Sequence, residues 1–263
     1  CMKNRSRTIR YILALTLNVA GFSTAGATPA PKKNKKKHHV DALAAQSMLR
    51  QGYVFRQQQR YTEALDRFAE ADKANPGNAT VYNMMGLCYL SMEQFDKALQ
   101  HFDTALDLIP GFTDARNNRG STYLSLKQYR MAEVDFIAVL SDSTYPHRWK
   151  VYYNLGVTYL SSGQIGAAEE NFRKAITSAT PVFEAYLRLA EIAQAQGRIE
   201  SALGLLEEAR LKYPERLDGI LAYGRMLIDA GRPAEARPYL EDVIASDPAS
   251  PMAGEARILL GET

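Results

Sequence analysis

Four asparagines, Asn83, Asn117, Asn118 and Asn154, stand among the apolar residues Leu87, Leu124, Tyr153 and Leu160. A carboxamide carries a donor and an acceptor on one rigid group, so it can pair with a peptide main chain without reading its sequence. The apolar neighbours would then take the ligand's side chains. An equal alternative is that these asparagines only bridge or cap adjacent helices. A second cluster, Tyr145-Pro146-His147-Arg148-Trp149, is rich in the residue types that most often dominate protein interfaces. Both are chemistries of recognition rather than of bond-making. The chain carries no phosphate-cradling glycine loop, no metal-spaced His/Cys cluster and no nucleophile elbow, and His101 and His147 are isolated in sequence. It reads as a non-enzymatic chain with no cofactor and no metal site.

The formal charge of +3 conceals an asymmetry. Nine of the 32 Lys and Arg fall within residues 1–40, which hold no acid; the other 23 face 29 acids, a net of −6. A body of that sign is a poor binder of a phosphate backbone, so nucleic acid is excluded as a partner class.

Residues 1–27 read as an export signal. A basic stretch through Arg10 precedes a mostly apolar run, Tyr11–Phe22, and Ala25-Gly26-Ala27 offers the small residues of a cleavage site. Cys1 stands before Met2, which reads as the initiator. Residues 28–44 then form a Pro- and Lys-rich tether. Its lysines are either a solvated spacer, the preferred reading, or a contact to anionic headgroups, each lysine then being worth about 1 kcal/mol. With Cys1 removed, Cys88 is the only thiol, and its apolar setting suits a buried small hydrophobe.

What must position the recognition residues is a repeat. Ala64, Ala98, Ala132, Ala168, Ala202 and Ala236 are separated by 34, 34, 36, 34 and 34 residues. Twelve positions before each stands Gly52, Gly86, Gly120, Gly156, Ala190 or Gly224. With the small residue as position 8, the units run 45–78, 79–112, 113–148, 149–182, 183–216 and 217–250. Position 24 holds Phe68, Phe102, Phe136, Phe172, Leu206 and Leu240, and position 32 holds Pro76, Pro110, Pro214 and Pro248. Small residues let two helices cross closely, bulky ones fill the space beside the crossing, and proline ends the second helix. Residues 251–263 read as one further helix covering the last unit, and Pro238 is expected to distort the helix it sits in.

This pattern resembles the tetratricopeptide repeat over Ala45–Ser250. The resemblance implies an all-α, right-handed superhelical solenoid of about six helix-turn-helix units plus a C-terminal capping helix, with protein or peptide as the ligand. It also implies a concave face built by first-helix positions, where Asn83, Leu87, Asn117, Asn118, Leu124, Tyr153, Asn154 and Leu160 fall. In the last units the same positions hold Glu184, Arg188, Glu191, Gln194, Asp218, Arg225 and Asp229. That charge could orient a ligand or simply be a solvated face. The carboxylate clamp of heat-shock co-chaperones is not supplied by Leu49 with Tyr53, or by Asn83 with Leu87.

The 36-residue step carries Ser141–Lys150 with Thr144 in place of proline. Together with Asn117-Asn118-x-Gly120, Tyr145-Pro146 and Leu187-x-x-Ala190-Glu191, it is similar to the pilotin family of type IV pilus systems. That resemblance implies export to the periplasm or outer membrane and assistance to assembly of an outer-membrane secretin. Ala25-Gly26-Ala27-Thr28 lacks the lipidated cysteine typical of that family, which leaves the basic tether as the only candidate membrane contact. The alternative is a general cell-envelope scaffold with another client. Within the loop, Tyr145 and Arg148 are expected at an interface and Trp149 in the joint between units.

Overall fold

The computed structural model describes residues 32–261, so the export signal, the first residues of the tether and Cys1 lie outside the described residues. Contacts divide the chain into Cys1–His39 and Val40–Thr263. Of the first group only the backbone opening of α1 (Lys32–Gln57) is described. Residues 32–44, set apart above as a tether, are therefore part of the first helix. Lysine and alanine are good helix formers and Pro31 stands immediately before the start, so nothing interrupts the helix until Gln57.

Within Val40–Thr263 the helices alternate as pairs. α1 is followed by α2 (Tyr61–Ala74), α3 (Ala79–Ser91) by α4 (Phe95–Leu108), and α5 (Thr113–Ser125) by α6 (Tyr129–Ser141). Then come α7 (Arg148–Ser161) with α8 (Ile165–Ile176), α9 (Phe183–Ala195) with α10 (Ile199–Lys212), α11 (Leu217–Asp229) with α12 (Pro233–Ser246), and finally α13 (Pro251–Leu260). Among the described residues there are thirteen helices and no strand. None is long and apolar enough to cross a membrane. The tandem helix pairs and the terminal helix stand where the repeat placed them. Pro238 sits inside α12 without ending it.

The repeat's periodicity has a direct steric cause. A Cβ built on Gly52, Gly86, Gly120 or Gly156 would fall 2.3–2.9 Å from the ring of the phenylalanine sixteen residues later. Phe68, Phe102, Phe136 and Phe172 are all fully buried, as are the six alanines of position 20. Unit five solves the same crossing with Ala190 against a leucine, Leu206, both buried. The turn inside each unit repeats too. Gln59, Glu93, Lys127, Gly163, Gly197 and Gly231, one per unit at the same position, all have positive φ.

Two layers follow. First helices of successive units touch one another, α3 with α5, α5 with α7 and α11 with α13, and second helices make no comparable contact among the described residues. The first helices therefore form the inner, more closely spaced layer, and the face they present is the concave one. α13 begins 34 residues after Leu217, so the terminal helix occupies the place of a seventh first helix. It starts on a Ser250 cap whose hydroxyl accepts from Ala253 N at 3.1 Å and ends on left-handed Gly261.

Candidate functional site: the inner helical face

Polar bridges step along the inner layer. Asn118 Nδ2 donates to Asn83 Oδ1 at 2.9 Å, linking α5 to α3. Asn154 Nδ2 reaches Ser121 Oγ at 3.5 Å, between α7 and α5. Gln194 Nε2 donates to Asp229 Oδ2 at 2.8 Å, between α9 and α11, and Arg225 pairs with Glu255 of α13. Asn83 is 2% exposed. The structure thus corrects the expectation that Asn83 faces a ligand: its carboxamide oxygen is committed to the neighbouring helix and its surface is covered. Asn118 and Asn154 serve as bridges from half-exposed positions.

Asn117 differs from the other three. Its Oδ1 is enclosed and has no hydrogen-bond partner, and the Nε of Arg56, on α1, is in the same condition. A buried polar atom left unpaired costs about 1–3 kcal/mol, so both groups are primed to accept a partner. Leu87, Leu124, Tyr153 and Leu160 are half-buried on the same layer. Tyr153 packs its ring on Phe172 with centroids 5.7 Å apart, which fixes one side of it to the core.

The inserted loop is built inward. Tyr145 is buried, 8% exposed, with its hydroxyl donating to Asp114 Oδ1 at 3.1 Å. Burial and the adjacent Asp114 carboxylate push its phenol well above the usual range. Arg148 Nη1 donates to the carbonyls of Leu140 (2.7 Å) and Asp142 (2.9 Å), the free acceptors at the end of α6. The interface expected of both residues is thereby corrected: the structure makes them joints instead. With no proline to close α6, Arg148 satisfies its last carbonyls and Tyr145 fills the gap that the two extra residues open. Asp142 ties the same turn by accepting from Thr144 Oγ1 at 2.6 Å, Thr144 N at 2.9 Å and Thr113 Oγ1 at 3.0 Å, and these bonds hold its carboxyl below the usual range. Trp149 is half-buried against the cluster around Phe172 and Tyr186, as the joint reading has it.

A hollow of about 350 Å³ opens on the inner layer between α9, α11 and α13. Leu187, Leu221, Met226 and Met252 supply its apolar floor; Glu191, Asp218, Asp229, Glu255 and Arg225 stand around it. Asp218 is held below the usual carboxylate range by the Arg216 guanidinium, with contacts of 2.8 and 3.0 Å. Sequence reasoning finds the charged positions here but not the hollow, because it treats the last helix as a cover. The spacing of 34 residues between Leu217 and Pro251 is the signal that α13 adds a wall.

Family models described as tetratricopeptide repeat match residues 79–112, residues 159–222, and, in a third case, residues 36–79 and 221–263. No curated protein sequence matches the chain. Among solved structures, the chain is similar to PilW, a widely conserved type IV pilus biogenesis factor. The identity is 21% and the TM-score 0.70, covering 79% of this chain and 96% of that one. PilF of Pseudomonas aeruginosa aligns at 18% identity and TM-score 0.69, over 83% of this chain and 98% of the other. YrrB, a tetratricopeptide protein with an unusual peptide-binding site, aligns at 20% identity and TM-score 0.53, over 73% and 97%. These likenesses are of fold.

Proposed function

We propose that this chain, which belongs to the tetratricopeptide-repeat family, is a non-enzymatic scaffold that holds an outer-membrane secretin subunit on its inner helical face. Its place would be the periplasm, and its task to assist type IV pilus assembly. The observation that carries the binding reading is the pair of enclosed, unpartnered polar atoms on first helices, Arg56 Nε and Asn117 Oδ1. A bound main chain that displaces the side chains enclosing these atoms offers a carbonyl to the first and an N–H to the second, while Leu87, Leu124 and Leu160 receive its side chains. The likeness in fold to PilW, a type IV pilus biogenesis factor, over most of both chains supports the pilus setting of that task. The signal-like residues 1–27 support export.

Charge placed among the leucines of α5 and α7 tests both parts. Leu124→Glu and Leu160→Glu, at half-buried inner positions, should weaken binding of secretin segments at least tenfold by calorimetry while leaving the helical circular dichroism intact. In cells, deleting the chain should reduce secretin multimers and surface pili, and the two variants should not restore them. Normal multimers in the deletion strain refute the pilus assignment. Unchanged affinity in the variants refutes the inner face as the binding site.

A further inference from the structure

The hollow between α9, α11 and α13 differs in chemistry from the rest of the inner face. In α5 and α7 that face is charged only at its opening position, Asp114 and Lys150, and is otherwise lined by neutral groups such as Asn117, Ser121, Leu124, Asn154, Val157 and Leu160. Here four carboxylates, Glu191, Asp218, Asp229 and Glu255, ring an apolar floor against three guanidiniums, Arg225 in the ring and Arg188 and Arg216 at its edge. Each carboxylate already has one partner. Glu191 takes Arg188 at 2.8 Å, Asp218 takes Arg216, Asp229 takes Gln194, and Glu255 takes Arg225. They nevertheless stay open: the Glu191, Asp218 and Glu255 side chains are 56%, 41% and 40% exposed. A carboxylate has about four acceptor sites, so the single internal bonds of Glu191, Asp229 and Glu255, and even the three on Asp218, leave room for more.

Resting on the groove reading above, we propose that this hollow selects a cationic peptide segment of the partner, one bulky apolar side chain flanked by Lys or Arg. At about 350 Å³ the hollow is at the small end of ligand sites, sized for one or two large side chains rather than a whole helix. Its floor is aliphatic and thioether, with Met226 and Met252 able to adapt to the side chain's shape. Four carboxylates against three guanidiniums leave an excess of one negative charge, at Asp229, which the low-dielectric walls focus over that floor. An anionic peptide meets repulsion there, and a neutral one forgoes the charge-assisted bonds that the open carboxylates offer. A divalent cation is the less suitable occupant, since among the described residues no three His, Cys, Asp or Glu gather into a ligand set. α13 therefore does more than cover the last unit, because Met252 and Glu255 complete the selecting wall.

The test uses the full chain and three fluorescein-labelled twelve-residue peptides that differ only at chosen positions: Leu and Phe flanked by Lys, the same apolar residues flanked by Glu, and Lys flanking Ser. Fluorescence anisotropy should rank the first at least tenfold tighter than either other, with affinity falling as NaCl is raised. The double variant Glu191→Gln, Asp229→Asn changes two exposed side chains and should weaken the first peptide at least fivefold without changing the melting temperature. Amide exchange should slow in α9, α11 and α13. Equal binding of the Glu peptide, or an unaltered affinity in the double variant, overturns the selectivity. Protection confined to α3, α5 and α7 overturns it too but leaves the groove reading standing. Protection of no first helix overturns both. Concentration-dependent self-association abolished by the double variant would assign the hollow to the Lys32–Lys37 segment of a second copy, and so also overturn the proposal.

Discussion

Gly156→Ala is the sharpest probe of how the repeat is built, because nature supplies the compensating pair in the same molecule. The added Cβ would lie 2.6 Å from Cδ1 and Cε1 of Phe172. That ring is fully buried and backed by Tyr153, so it cannot swing clear. Overpacking of this kind costs about 1–3 kcal/mol, offset by about 0.8–1 kcal/mol from alanine's better helix propensity. The net loss should be about 1 kcal/mol, a fall in melting temperature of roughly 2–4 °C for a chain of this size. Phe172→Leu alone should cost about 1–2 kcal/mol, less than the roughly 3–5 kcal/mol of truncation to alanine. Combined with Phe172→Leu, Gly156→Ala recreates the Ala190–Leu206 pair of unit five and should become stabilising by up to about 1 kcal/mol. The coupling, about 1–2 kcal/mol and favourable, is in the range for residues in direct contact. Trp149, the only tryptophan, opens the same unit, so urea titration followed by its fluorescence reads the right segment. If Gly156→Ala has the same sign in both backgrounds, the glycine is not there to admit the ring, and the steric account of the repeat fails.

Three further outcomes follow from the same geometry. Asp135 is 1% exposed and takes two bonds from Arg119, at 2.7 and 2.8 Å; Asp135→Ala should cost about 3 kcal/mol, while Arg119→Leu with Asp135→Leu, the residues of the same positions in unit five, should recover most of it in a urea melt. Cys88 is buried, and desolvation pushes its thiol up to about 11 from 9.0. Because its folded value is raised, its contribution is whole below pH 9 and lost as pH climbs to 11, a fall of about 2–3 kcal/mol absent in Cys88→Ala. Lys127→Gly relieves a left-handed residue (φ 59°) and should raise stability by up to about 1 kcal/mol after the entropy of the more flexible unfolded chain is counted, which thermal melts at matched pH will show.

Much of the fold was legible because a solenoid repeats one local problem. Gly86 against Phe102 and Gly120 against Phe136 are near-copies of a single crossing, so a period of 34 carries the information several times over. Legibility failed where a unit departs from the period. The two inserted residues before α7 read as an exposed, interface-rich loop, since Tyr, Arg and Trp favour interfaces on average. In the fold, the missing proline leaves α6 carbonyls at Leu140 and Asp142 to be satisfied, and Arg148 turns inward to do it. A composition argument cannot see a local hydrogen-bond deficit of that kind. The run of lysines after Pro31 misled for a related reason: charge suggested a tether, while backbone propensity extends α1 through it.

The candidate site was legible as a face and not as a set of contacts, and the spacing of its bridges shows why. Residues i and i+34 lie at equivalent positions of successive first helices, yet the bonds Asn83–Asn118 and Gln194–Asp229 each join residues 35 apart. These two bonds join residues one position out of register, whereas Asn154 turns back to Ser121 and Arg225 reaches Glu255, so the register of the bridges differs from unit to unit and is invisible in any single unit. Which amides the scaffold consumes is therefore decided bridge by bridge. Asn83 is spent on Asn118, whereas Asn117, at the position equivalent to Asn83 and one step from Asn118, keeps an enclosed oxygen with no partner. The carboxylates around α11 and α13 are partnered but open, so the inner face changes along its length from an unpaired neutral group to shared anionic ones. A ligand lying along it would be held by its main chain at α5 and selected by its side chains at α11. Asn117→Ala should therefore weaken the cationic-apolar, anionic and serine peptides by a common factor, while Glu191→Gln with Asp229→Asn should change their ranking. Anisotropy on the same three peptides separates the two, and a common factor from both variants would refute the division of labour.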